Sequence, residues 1–225
     1  MIEISHVSKR FGDATILNDI SLSIDEGETV GFVGANGSGK SVLFKIIAGL
    51  YRPDEGSVTV RGQVLGKDVD FPDGMGILID EPGYVDYMSG WNNLKNLALI
   101  QNKISDDQIR ETMMRFHLDP NNRTMARNYS LGMKKKLGIC QAIMENQDII
   151  ILDEPFNALD FESYNDIQDV LFELKEEGKT ILITAHQHED IESLCDRMFF
   201  VHQGSVEPLT EEIRTAYFER HTAHR

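Results

Sequence analysis

Sulfur chemistry is nearly absent from this chain. Of 225 residues only two are cysteine, Cys140 and Cys195, both in apolar surroundings and without C-x-x-C spacing. That excludes a disulfide framework, and both read as buried thiols of a reducing compartment. Positive charge is also scarce, with 22 Lys+Arg against 37 Asp+Glu and a formal net charge of −15 at pH 7. Such a chain does not grip nucleic acid mainly by neutralising phosphates, nor attach broadly to anionic lipid, because both need a basic face. Long apolar runs are missing. The longest, such as Ile149–Leu152, are strand-sized against the ~20 residues of a membrane span. The first residues lack the basic-then-apolar design of a signal peptide. The expectation is a chain that stays in the cytoplasm and reaches a membrane only where other subunits hold it.

Alternation carries the opening of the sequence. Ile2 and Ile4, then Ile20, Leu22 and Ile24, have the period of half-exposed strands. Thr29–Val33 reads as a buried strand, followed by a Gly-rich loop and by Val42, Leu43, Ile46, Ile47 and Leu50 at helical spacing. Pro53-Asp54-Glu55-Gly56 reads as a turn before a short strand at 58–61. From 91 to 147 the pattern is helical, with Leu94, Leu97, Ile100, Ile109, Met113 and Phe116 marking the apolar faces. A strand at Ile149–Leu152, a helix at 167–177 and a strand at 180–184 then form a parallel βαβ unit. The expected organisation is one domain: a core of residues 1–82 and 141–207, a helical insertion at 83–140, and a closing helix at 208–225 that includes Ile213, Tyr217 and Phe218. Residues 145–177 hold eleven acids and one base, Lys175, read mostly as the solvated face of one helix.

Two segments carry chemistry. Gly34-Ala35-Asn36-Gly37-Ser38-Gly39-Lys40-Ser41 satisfies G-x-x-x-x-G-K-[ST] between a strand and a helix. Glycines there let successive N–H groups turn inward around phosphate oxygens, and the helix N-terminus adds its positive end. Lys40 can reach the β- and γ-phosphates, and Ser41 can ligate Mg2+. Asp153 and Glu154 follow the apolar strand at its C-terminal end, where ligands bind in open α/β sheets. Asp153 can hold Mg2+, and Glu154 can polarise the attacking water in line with the leaving diphosphate.

Tyr129-Ser130-Leu131-Gly132-Met133 lies some twenty residues before Asp153, Asn157-Ala158-Leu159-Asp160 lies just after Glu154, and Thr184-Ala185-His186 closes the next strand. With these the sequence resembles the nucleotide-binding subunits of ABC transporters over roughly residues 2–207. The resemblance implies an α/β fold, a P-loop NTPase core with a mostly parallel sheet, an N-terminal antiparallel β part and an inserted helical subdomain. It implies an ATPase that uses ATP and Mg2+, works as a head-to-tail homodimer or a heterodimer with a similar subunit, and drives separate membrane subunits from the inner face of the cell membrane. Ser130 and Gly132 would face the ATP held by the partner's phosphate loop. Phe11 matches the aromatic that stacks on adenine, with a packing role as its alternative. His186 matches the γ-phosphate contact, and Asp160 the loop that joins the two sites.

Two departures mark a branch. Leu131 and Met133 stand where the usual LSGGQ stretch has glycine and glutamine, and Asp80 stands where a metal- and water-contacting glutamine is usual. Both, with the wording YSLGMKKKLGI, resemble the bacitracin- and lantibiotic-resistance exporters. Lys134-Lys135-Lys136 reads as a partly solvated helix rather than a nucleic-acid patch, and no nucleic acid is expected as partner. His186-Gln187-His188-Glu189-Asp190 is too sequential for a zinc site. A surface for the membrane subunits is expected after Asp80, where Tyr84, Tyr87, Met88 and Trp91 gather. The competing readings are a soluble ABC-type ATPase acting on DNA or ribosomes, and a nucleotide-switched regulator with little turnover.

Overall fold

A computed structural model describes residues 1–81 and 83–219. The chain divides into two compact units, one of Met1–Pro72 with Leu182–Arg225 and one of Asp73–Ile181. In the first, β1 (Ile2–Phe11) pairs antiparallel with β2 (Ala14–Ile24) from Ile2↔Ile24 to Phe11↔Ala14. The alternation read at Ile2 and Ile4 slips one place to Val7, where the register shifts. His6 and Asp19 take φ of 52° and 53° there. The slip keeps Ile2, Ile4, Val7, Leu17, Ile20 and Ile24 all buried. β3 (Thr29–Val33) is buried throughout and leads into α1 (Lys40–Ile47), which buries Leu43, Phe44, Ile46 and Ile47.

The strand expected at 58–61 begins earlier. β4 (Glu55–Val60) pairs with β1 on the side away from β2, and β5 (Gln63–Val64) closes the four-stranded order β2-β1-β4-β5. Glu55 and Gly56, read as turn, belong to the strand. Gly56 sits at φ 79° against β1, and a Cβ there would lie 2.2 Å from the His6 carbonyl oxygen. A glycine that signals a turn in sequence here permits a bulge.

The second unit opens with β6 (Met75–Leu78), followed by α2 (Gly90–Gln101), α3 (Asp106–Arg115), a 3-10 turn at Ala126–Asn128, α4 (Leu131–Ile143), β7 (Ile149–Leu152) and α5 (Phe161–Glu176). Side chains cap the helices: Ser89 on α2, Ser105 on α3 in a reciprocal box with Gln108, Ser130 on α4 and Asp160 on α5. The Asp160 cap starts α5 at Phe161, six residues ahead of the apolar pattern that announced it. α2 buries Gly90, Asn93, Leu94 and Ala98. Leu97 and Ile100, expected on its apolar face, are exposed, Ile100 by 77%.

The acids of α5 are not simply solvated. Arg115 on α3 pairs with Glu173 and Glu177, and buried Lys136 on α4 pairs with buried Asp166, which also meets His117. β6 and β7 run parallel in the register Met75↔Ile149 to Leu78↔Leu152. The chain then passes through β8 (Thr180–Ala185), buried along its whole length, and returns to the first unit. There β9 (Arg197–His202) pairs parallel with β3, and β10 (Ser205–Pro208) pairs antiparallel with β9. The described part of the expected closing helix is shorter: α6 (Glu211–Ile213) and a π-turn at Arg214–Glu219. Residues 220–225, and Pro82 at the expected domain boundary, lie outside the described residues. Tyr217 packs its ring edge-on against Phe200 at 4.7 Å. Cys140 is buried as expected, but Cys195 is only half-buried.

Gly76 on β6 lets α4 come within backbone distance, since a Cβ there would lie 1.7 Å from the Ala142 carbonyl oxygen. Gly76→Ala must push strand and helix apart and is expected to cost about 1–3 kcal/mol in urea unfolding. Gly83→Ala has open space around the new methyl and should stay within about 0.5 kcal/mol of the parent. Equal midpoints for the two variants would show that the contact at Gly76 does not hold α4 in place.

Candidate functional site

The phosphate-type loop lies in the first unit. It spans residues 34–39, from the end of β3 to the start of α1, and its shape needs its glycines. Gly37 and Gly39 take φ of 76° and 111°, and a Cβ on Gly34 would lie 2.2 Å from the Val201 carbonyl oxygen on β9. Gly39 stands at the N-cap of α1 and offers no side-chain cap to the first-turn N–H groups. Lys40 is buried, and its Nζ donates to the carbonyl oxygens of Gly34 at 2.8 Å and Ala35 at 3.1 Å. The loop thus folds around an ammonium. Ser38 Oγ is buried with no hydrogen-bond partner among the described residues. Asn36 and Gly37 are exposed, and Ser41 is half-buried on α1. Phe11, at the end of β1, is 47% exposed, with Tyr51 edge-on at 5.7 Å and the Lys9 ammonium 5.4 Å from its ring centre. His186 directly follows β8 and is half-buried.

The second unit carries the acidic residues. Asp153 is buried at the end of β7, and its N–H donates to the Leu78 carbonyl at 2.7 Å, extending the pairing with β6 by one step. Since Leu78 faces Leu152 in the register, Asp80 and Glu154 each stand two residues beyond it. Both take left-handed backbone, φ 61° and 48°, which non-glycine residues rarely adopt. Asp80 is exposed. The Glu154 carboxylate accepts from Asn157 Nδ2 at 3.2 Å. Its carbonyl accepts from the Asn157 N–H at 3.3 Å and from Lys135 Nζ at 3.0 Å. Burial pulls the Lys135 pKa down, and the carboxylates of Asp153, Glu154 and Glu81 oppose that pull.

Ser130 caps α4, its Oγ accepting from the Met133 N–H at 3.2 Å, and Ser130 and Leu131 face solvent. Gly132 does not. It is buried, and a Cβ there would lie 1.9 Å from Ser163 Oγ and 3.2 Å from Asp160 Oδ2. Asp160 accepts from the Ser163 N–H at 2.8 Å and from its hydroxyl at 3.0 Å. These bonds hold the Asp160 carboxyl below the usual carboxylate range. Gly132 therefore allows the start of α4 to meet the start of α5 through Ser163.

The lysine run is also divided by the structure. Lys136 is buried on Asp166, whereas Lys134 and Lys135 are half-buried, as the expected partly solvated face requires, and Lys135 also reaches Glu154. Neither Lys135 nor Ser163 is singled out by motif. A signal for Lys136 did exist: it follows Gly132 by four residues, hence lies on the same helix face.

The profile of the ABC transporter family matches residues 17–157. The chain is 39% identical over 207 residues to the uncharacterized ABC transporter ATP-binding protein YybJ of Bacillus subtilis, covering 92% of this chain and 95% of that protein. It is 33% identical to the bacitracin transport ATP-binding protein BcrA of Enterococcus faecalis, covering 95% of this chain and 69% of BcrA. Its fold matches the dimeric structure of MJ0796, a bacterial ABC transporter cassette, with a TM-score of 0.81 and 26% identity over 92% of this chain and 97% of that one.

The depressed Asp160 carboxyl links stability to pH. Its folded pKa lies below the ordinary value of 3.8, so the stabilisation is fully present above 3.8 and is lost as pH falls through the depressed value. Asp160→Asn keeps an N-cap acceptor but not the charge. Urea midpoints measured from pH 7 to pH 3 are expected to separate the two proteins at neutral pH and bring them together in acid. A constant gap would show that the charge of this cap does not stabilise the fold.

Proposed function

Because this chain belongs to the ABC transporter family, among its ATP-binding proteins, we propose that it hydrolyses ATP and drives separate membrane subunits through ATP-dependent dimerisation. The observation that carries the reading is the loop of residues 34–39, with an ammonium at its centre and an unpartnered buried hydroxyl, Ser38, beside it. Triphosphate oxygens would replace the Gly34 and Ala35 carbonyls as acceptors for Lys40 and supply the acceptor that Ser38 lacks. Phe11 would stack on adenine and His186 would contact the γ-phosphate. Ser41, Asp153 and Asp80 offer hydroxyl and carboxylate oxygens, the hard donors that suit Mg2+. Bound there, Mg2+ would neutralise charge on the phosphates. Glu154 would hold and polarise the attacking water and accept its proton.

The exposed Ser130 at the start of α4 supports a head-to-tail dimer, homomeric or with a similar subunit, in which α4 points its positive end at nucleotide on the partner. No described helix is long and apolar enough to cross a membrane. In this reading the membrane subunits are separate chains that hold this one at the inner face. Tyr87, 68% exposed, and Trp91, with the Arg110 guanidinium 4.3 Å from its ring centre, support a docking surface at the segment after Asp80. Exposed Leu99 and Ile100 on α2 extend the apolar surface of the same helical segment. Similarity to BcrA, named for bacitracin transport, favours export.

Lys40→Ala is expected to abolish both ATP binding and turnover. Glu154→Gln should keep binding, lose about 10²–10⁴-fold in turnover, and run as an ATP-dependent dimer on a sizing column. Near-normal turnover of Glu154→Gln would remove that carboxylate from the mechanism. Mixing Lys40→Ala with Ser130→Arg creates heterodimers with one intact composite site, so ATPase activity should return on mixing. If heterodimers form and no activity returns, Ser130 serves its own subunit.

A further inference from the structure

We propose that Lys135 is a positioning residue for hydrolysis, holding the Glu154 peptide so that the carboxylate keeps its orientation. The inference rests on the reading of Glu154 as the water-polarising group. Glu154 lies in left-handed backbone at φ 48°, a conformation a non-glycine residue keeps only when its surroundings over-determine it. Two donors do so here. The Asn157 N–H reaches the Glu154 carbonyl at 3.3 Å within the local turn, and Lys135 Nζ reaches the same oxygen at 3.0 Å from a different element, α4. The turn bond is long and local. The lysine bond is shorter, charge-assisted and anchored on a helix, so it is the stronger restraint on which way the peptide faces. Asn157 Nδ2 then holds the carboxylate itself at 3.2 Å.

Lys135 is half-buried, and Asp153, Glu154 and Glu81 all act on its charge, so it is embedded among the acids of the site rather than extended into solvent. Its helix begins at the Ser130 cap, five residues upstream or ~7.5 Å along the axis. One stiff element therefore carries both the surface offered to nucleotide on the partner and the tether of this chain's own Glu154. A displacement of α4 along its axis moves Lys135 with it and re-aims the Glu154 peptide.

Lys135→Met keeps the length and apolar stem but removes the donor, whereas Lys135→Arg keeps a charged donor. Steady-state ATPase assays on the full chain are expected to show kcat of Lys135→Met down about 10- to 100-fold with KM for ATP within about twofold of the parent. Lys135→Arg should recover most of that loss. In the Glu154→Gln background, Lys135→Met should cause no further loss of residual turnover and should leave ATP-dependent dimerisation on a sizing column intact. A kcat for Lys135→Met within about threefold of the parent overturns the proposal. So does a loss of ATP binding that Arg fails to rescue, which would mark a general structural role, and so does an additive effect on top of Glu154→Gln. Should Lys135→Met unfold, the Arg variant decides alone: a parent-like fold with kcat reduced as far as in Glu154→Gln would overturn the proposal. If Glu154→Gln itself retains turnover, the underlying reading of Glu154 fails instead.

Discussion

Four buried side chains, Ile149 to Leu152, hold β7 in place, and the acidic end of the second unit is laid out from that strand. An apolar strand buried on both faces carries polar residues only at its ends, and Asp153 and Glu154 emerge together at the C-terminal one. Parallel pairing with β6 sets a second acid, Asp80, at the matching position on the neighbouring strand. Gly76 then lets α4 settle directly on β6, which brings Lys135 within reach of the Glu154 carbonyl. Each of these placements would shift if the β6–β7 register moved by one residue, because alternate residues face opposite sides of a sheet.

Charge is organised differently from the way its total suggests. A net charge of −15 describes a chain with acids to spare, yet three of its bases stand at structural junctions. Arg115 ties α3 to α5, Lys136 ties α4 to α5, and Lys179 meets the Asn146 side chain at 2.8 Å and Asp148 at 3.6 Å. The exposed pairs contribute little each, since water screens them. The Lys136–Asp166 pair is another matter: both partners are buried, and removing one would strand the other in a low dielectric. The turn after α3, through His117, and the helices α4 and α5 thus converge on one carboxylate.

Left-handed backbone is spread over ten described non-glycine residues, His6, Arg61 and Gln203 among them. Asp80, Glu154 and Ala158 take positive φ without being glycine, and all three fall where the chemistry is expected. The phosphate-type loop solves its own conformational problem with glycines at 37 and 39. The acidic loop has none, and holds its shape with side-chain bonds from Asn157 and Lys135. The first device turns the chain with residues that carry no side chain. The second keeps a carboxylate where a glycine would have none.

Much of this protein was legible in its residues alone. The glycine spacing at 34–41, the apolar run ending in Asp153 and Glu154, and the signature around Ser130 are local patterns, and local patterns survive in a one-dimensional string. So the family and the α/β class are legible in the sequence itself. The paired strands β9 and β10 went unread because their partners lie far off in sequence; β9 pairs with β3 across more than 160 residues, from Val30 to Arg197. Helical spacing pointed Leu94, Leu97 and Ile100 inward; Leu94 is buried, but the fold turned α2 so that Asn93 and Ala98 join it in place of Leu97 and Ile100. Three consecutive lysines look alike in sequence, but their Cβ atoms leave a helix about 100° apart. What stood across from each, Asp166 for Lys136 and the Glu154 carbonyl for Lys135, was a matter of which elements met in space, and only the tertiary structure decided it.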